Sequence, residues 1–243
     1  MRMMSFAKRC AREILRDPLN LAFGIGFPVV LLLLLSAIQA NIPVEMFELL
    51  HLTPGITVFG LAFMALFSAT LVARDRESAF LERLYTTPMT SADFIIGYML
   101  PIIPISLAQG VVCYIVALLV GMQFSVNIIL ALLGLIPISI FYVSLGLLCG
   151  SAFNVKQVGG ICGGLLTNVS AWLSGIWFDI ALVGGAFMKI ANLLPFIHAV
   201  EMERALLKGS FKDAASHLIL VLIYAVFTTV CAISVFLRQM KKR

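Results

Sequence analysis

The sequence predicts an all-α membrane protein with six transmembrane helices. Composition is the first reason: 61% of the 243 residues are hydrophobic and 12% are charged, against about a quarter charged in soluble domains. Stretch length is the second, because several apolar runs reach the roughly twenty residues that cross a hydrocarbon core. The third is charge placement. Lys and Arg gather at the edges of the apolar runs rather than along a stripe. The net charge of +5 is therefore the mark of a protein in a lipid bilayer, not of one that binds nucleic acid.

The chain reads as one helical membrane domain over 1–243. Residues 3–17 form an N-terminal amphipathic interfacial helix. Lys8, Arg12 and Arg16 recur every four residues, and Phe6, Cys10, Ile14 and Leu15 supply an apolar side. Such a helix lies in the headgroup region with its basic face toward anionic lipid; the plainer reading is a positive-inside anchor. The first span covers about 21–40, with Pro28 placed to kink it. A loop without Lys or Arg follows, and Pro54-Gly55 opens the second span, about 54–73. The third and fourth, about 94–120 and 128–150, lie in a stretch from Phe94 to Val155 that has no ionisable Asp, Glu, Lys, Arg or His. Pro101 and Pro104 are expected to bend the third.

The fifth span, about 158–177, carries two overlapping GxxxG spacings, Gly159/Gly163 and Gly160/Gly164. Both let another helix approach closely. No strand precedes these glycines, so a dinucleotide site is excluded. Trp172 and Trp177 suit an interfacial aromatic belt. The last span covers about 214–237 and ends in a basic tail.

Between the second and third spans lies the one dense charge cluster: Arg74, Asp75, Arg76, Glu77, Glu82 and Arg83. Residues 77–86 contain no Gly or Pro, and Pro88 disfavours helix at Thr87, so a short helix is expected over 77–87. Thr90 and Asp93 have the capping-box spacing that opens the next helix. At helical period Phe80, Leu81, Leu84 and Tyr85 share a face. Among the six charges, only Arg74 and Glu77 have the spacing of an opposite-sign pair within one helix. Two readings are open here: a solvated loop whose arginines set topology, or a helix that docks into a groove on another protein.

Residues 178–213 also allow two readings. Ile180 to Leu194 is apolar but holds Gly184, Gly185 and Lys189 and ends at Pro195. As a span it makes seven; as an extracellular re-entrant hairpin between spans five and six it leaves six. A second short amphipathic helix over 196–208 then stops at Gly209. With six spans, 13 basic residues (Arg2, Lys8, Arg9, Arg12, Arg16, Arg74, Arg76, Arg83, Lys156, Arg238, Lys241, Lys242, Arg243) fall on one side. Four (Lys189, Arg204, Lys208, Lys212) fall on the other. The richer side is cytoplasmic, and it holds both termini and the charged loop.

Catalytic and energy-supplying features are missing from the sequence. There is no GxxxxGK[ST]. His51, His198 and His217 lack metal spacing, and the five cysteines lack zinc or CxxC spacing, so no metal site is expected. The apolar spans hold no charge that could relay protons. Uphill transport would need energy from another chain, so no cofactor is expected here.

These pieces resemble the membrane permease subunits of ABC exporters of the type-2 class, in particular the drug-resistance and nodulation-factor type. The matching residues are Arg16-Asp17-Pro18, Phe27-Pro28, Pro54-Gly55, the stretch from Arg76 to Pro88, and Leu194-Pro195 through Arg204 to Gly209. Where the family usually has Gly, this chain has Ala79. The resemblance implies that Glu77, Ser78, Ala79, Phe80, Leu81, Glu82, Arg83, Leu84 and Tyr85 form a cytosolic coupling helix. That helix would dock on a separate nucleotide-binding ATPase subunit, where ATP and Mg would bind. It implies outer re-entrant helices over 180–207 and a second, identical or different, permease subunit. It puts Thr57, Phe63, Ser68, Asn168 and Trp172 on the substrate path. The expected function is ATP-driven export of a drug-like, antibiotic or lipidic solute from a bacterial cell across its plasma membrane. A permease for lipid-linked polysaccharide and a non-transporting scaffold or immunity protein are the alternatives.

Overall fold

The computed structural model describes residues 2–42, 44–78 and 90–242, the side chains of Arg2 and of 240–242 excepted. No strand occurs among the described residues. Helix α1 is Arg2–Leu15. Helix α2 runs over Pro18–Asn41 and includes a π-helical stretch, Ala22–Gly26. Helix α3 is Leu49–Glu77, α4 is Ser91–Val120, and α5 is Asn127–Ala152. Helix α6 is the continuous run 155–173, with a π stretch at Gly159–Leu166. Three shorter helices follow: α7 Ile180–Val183, α8 Gly185–Leu193 and α9 Pro195–Lys208. The last, α10, is Phe211–Lys242.

Among the described residues, five helices are long and apolar enough to cross a membrane: α2, α3, α4, α5 and α10. Helix α6, the expected fifth span, is not among them. Its nineteen residues cover roughly 28 Å, but four glycines, Lys156, Gln157 and Asn168 lower its apolarity. Helices α7 and α8 have four and nine residues. Nine residues reach only about 14 Å, roughly half a hydrocarbon thickness.

The prolines fall where the backbone can accommodate them. Pro28 follows the π stretch at which Phe27 N–H bonds back to Ala22 O, so the register changes just where an N–H goes missing. The second span begins five residues before the expected Pro54, at Leu49. Pro54 is thus inside α3, next to buried Thr53 and Gly55, and packing outweighs the lost donor.

Helix α3 is the centre of the bundle. Nearly every residue from Leu52 to Ala73 is buried, as expected for a helix with neighbours on all sides. It packs most extensively on α5, which in turn packs on α10. The α3–α5 contact depends on two glycines. A Cβ at Gly146 would collide with the backbone of Ala65, and one at Gly150 with the backbone of Ala69. Gly146 and Gly150 are themselves a GxxxG pair, facing small residues with the same spacing.

Candidate functional site

The candidate site is the end of the bundle from which the charged loop leaves. Helix α1 is amphipathic, but its apolar side is turned toward protein. Phe6, Cys10 and Ile14 are buried, and the Phe6 ring stands edge-on to Phe94 at 5.6 Å and Tyr98 at 4.8 Å. Gly97 makes room for that ring. Only Leu15 of the four expected apolar residues is exposed. Burial pushes the Cys10 thiol up to about 12, which leaves it a packing residue.

That docking brings Arg9 onto Asp75 in the last turns of α3. Arg9 donates to both carboxylate oxygens, at 2.5 and 2.7 Å, and Tyr98 Oη donates to the same carboxylate at 2.8 Å. Arg9 also reaches Glu13 at 2.8 Å. Burial works against the Arg9 charge, but its bonds to Asp75 outweigh burial and raise its pKa. Burial pushes the Glu13 carboxyl up, with Arg9 opposing.

The next residues tie in two more helices. Arg76 donates to the carbonyls of Gly150 at 2.7 Å and Phe153 at 3.1 Å, satisfying orphan acceptors at the end of α5. Glu77 Oε1 accepts from Val155 N at 2.9 Å, at the first turn of α6. Asn154 and Gln157 form a capping box there. Helix α3 ends at Ser78, whose backbone is extended and whose hydroxyl donates to Asp75 O at 3.0 Å.

The chain therefore turns at Ser78, and Glu77 belongs to the span helix rather than opening a new one. The Arg74–Glu77 pair that the spacing allows does not form. Arg74 approaches Asp17 at 3.6 Å, and Glu77 serves α6. All four charges of 74–77 find partners within this chain. Ala79, Phe80, Leu81, Glu82, Arg83, Leu84 and Tyr85 lie outside the described residues. On the far side of the loop, Thr90 and Asp93 form the expected capping box.

The five expected path residues are not brought together. Thr57 is buried and donates to Thr53 O at 2.7 Å. Ser68 is buried and donates to Ala65 O at 2.9 Å and Val143 O at 3.2 Å. Phe63 packs edge-on against Phe27 and Phe59. These three face the chain's own core. Asn168 and Trp172 lie on the open face of α6, Trp172 at 54% exposure. The same face holds Gly159, Gly160 and Gly164, where an added Cβ would meet nothing within 4 Å. A Cβ at Gly163 would touch Leu66 at 3.4 Å.

A second polar group occupies the opposite end. Arg204 is 5% exposed and joins three elements: it donates to His51 O and Gly175 O, each at 3.2 Å, and to Glu201 at 2.7 Å. Burial lowers its pKa, and Glu201 opposes the shift. Glu203 is fully buried beneath Tyr114, whose hydroxyl donates to it at 3.3 Å. Burial holds this carboxyl well above its usual range. His198 and His217 meet through their Nδ1 atoms at 2.8 Å. No group of three metal-ligating side chains occurs among the described residues.

Sequence reasoning missed the Asp75 knot, the buried Glu203 and the histidine pair. It could have found Gly146/Gly150, because the GxxxG rule applied to 159–164 selects that pair equally well.

A comparison with curated proteins matched none of them. The family model of the ABC-2 type transporter matches residues 2–207, from α1 through nearly all of α9. The chain thus belongs to the ABC-2 type transporter family, as a multi-pass membrane permease of an ABC transporter, whose partner is an ATP-binding subunit.

Proposed function

We propose that this permease is half of an ATP-driven exporter that moves a drug-like, antibiotic or lipidic solute out of a bacterial cell. Six spans cross the plasma membrane, with α6 as the fifth, and both termini face the cytosol. Helices α7 to α9 form a re-entrant cap at the outer end. The observation that carries this reading is the root of the loop. Through their side chains residues 74–77 contact α1, the N-cap of α2, α4, α5 and α6. A displacement of the loop by an ATPase subunit would reach most of the bundle through rigid, hydrogen-bonded contacts.

Mechanically, residues 79–87 are the docking element, with Phe80, Leu81, Leu84 and Tyr85 as the apolar face. ATP would close two ATPase subunits, shift the docked helices and re-pack the spans in alternating access. The open glycine face of α6 suits close approach of a second permease subunit, which would put Asn168 and Trp172 at the junction of the two halves. ATP and Mg stay on the partner.

Phe80→Ala/Leu84→Ala tests the docking face. Truncating interface anchors costs about 2 kcal/mol or more. We expect normal membrane insertion, loss of co-purification with the ATPase subunit and loss of substrate-stimulated ATP hydrolysis in liposomes. Wild-type association and coupling in the double variant would leave the loop a solvated connection.

A further inference from the structure

We propose that the cleft between α1, the start of α2 and the end of α3 binds the phosphate headgroup of an anionic phospholipid. The cleft is about 580 Å³ and is lined by Arg9, Arg12, Glu13, Arg16, Asp17 and Arg74, with Pro18 at its edge. Four arginines against Glu13, Asp17 and the Asp75 that holds Arg9 leave one net positive charge.

Both carboxylates lining the cleft are engaged. Glu13 holds Arg9 at 2.8 Å. Asp17 accepts from Asn20 N at 3.3 Å and faces Arg74 at 3.6 Å. Arg12 in the last turn of α1 and Arg16 just beyond its end are four residues apart and exposed, and their side chains have no partner among the described residues. Two uncompensated guanidinium groups aimed into one cleft match a phosphate, which they can bind through paired N–H donors.

The surroundings favour a lipid over a free anion. Leu15 and Leu19 are 58% and 68% exposed beside the arginines, and Phe23 is 50% exposed one turn along α2 from Leu19. This apolar stripe leads from the cleft along the first span. A headgroup in the cleft would lay its acyl chains there, whereas a soluble anion would use the charges alone. Because α1 turns its apolar side to α4, the basic cleft is a discrete pocket and not a smeared face. Arg74 directly precedes Asp75, so an occupied cleft would also steady the root of the charged loop.

The test uses the purified full chain in a neutral detergent, without any ATPase subunit. Its failure would therefore leave the permease reading intact. Calorimetric affinities are compared for dioctanoyl phosphatidylglycerol, dioctanoyl phosphatidylcholine and inorganic phosphate. Phosphatidylglycerol should bind tightest. Each arginine near a charged headgroup is worth about fivefold in affinity, so Arg12→Gln/Arg16→Gln should weaken its binding about thirtyfold. Lys8→Gln, on α1 but outside the cleft, should stay close to wild type. The Arg12 and Arg16 side chains make no bond among the described residues, so the lipid-free melting temperature should not change. Equal affinity for the two lipids, or an unaffected double variant, would overturn the site. Inorganic phosphate binding as tightly as phosphatidylglycerol would overturn the lipid assignment.

Discussion

A carboxylate enclosed by helices must find donors or give up its charge, and Asp75 finds three, two from Arg9 and one from Tyr98. Breaking a buried pair costs about 3–5 kcal/mol. Arg9 is about a third exposed, so part of that cost is screened. Arg9→Ala should destabilise the folded protein by about 2–3 kcal/mol, because it strands the more buried partner. Asp75→Ala should cost less, because Arg9 keeps Glu13 and some water. Unfolding in mixed micelles should show the double variant losing clearly less than the sum of the singles. Simple additivity would mean that the two side chains are not coupled. In the sequence Asp75 is one of six loop charges. Nothing local separates it from Glu77, because the partner that buries it is 66 residues away.

At the level of helices, the same GxxxG spacing has two different fates. Gly146 and Gly150 seat α5 on the backbone of α3, which cannot move aside as a side chain can. Gly146→Ala or Gly150→Ala should therefore lower stability by about 1–3 kcal/mol, as overpacked cores do. Gly164→Ala meets open space and should leave the isolated chain as stable as wild type. Its bulkier relative, Gly164→Leu, should act on subunit assembly alone, measured by cross-linking or native mass spectrometry. A stability loss in Gly164→Ala equal to that in Gly146→Ala would contradict this division. Helix ends were easier to read than helix faces. The Thr90–Asp93 box forms as expected, and Gly209 closes α9 at φ 80°. Each depends on residues within one turn.

For the whole molecule, the question is which side each end faces. Arg204 ties α9 to the start of α3 and to the turn after α6, so the short helices are held to the bundle end opposite the Asp75 knot. With six spans this end is extracellular. Single cysteines at Gly185 and Lys208, in a background without the five native cysteines, should both react with an impermeant maleimide added outside intact cells. Both positions are on or beside short helices; Lys208 is exposed, and a Cβ at Gly185 meets nothing within 4 Å. Labelling of position 208 only after the membrane is opened would overturn the six-span topology.

The sequence by itself determined the solvent of this protein, the approximate location of its helices, the caps that start and stop several of them, and the charge asymmetry on which the proposed orientation rests. These follow from composition and from interactions within a few residues. Only the tertiary structure decided that α1 turns its apolar side to α4, that Asp75, Arg76 and Glu77 each fasten a different helix, and that Thr57 and Ser68 face inward. It also decided which glycines are in contact and brought His198 to His217. These outcomes depend on partners far along the chain. An amphipathic period tells that a face will be covered, and the packing of the other helices decides by what.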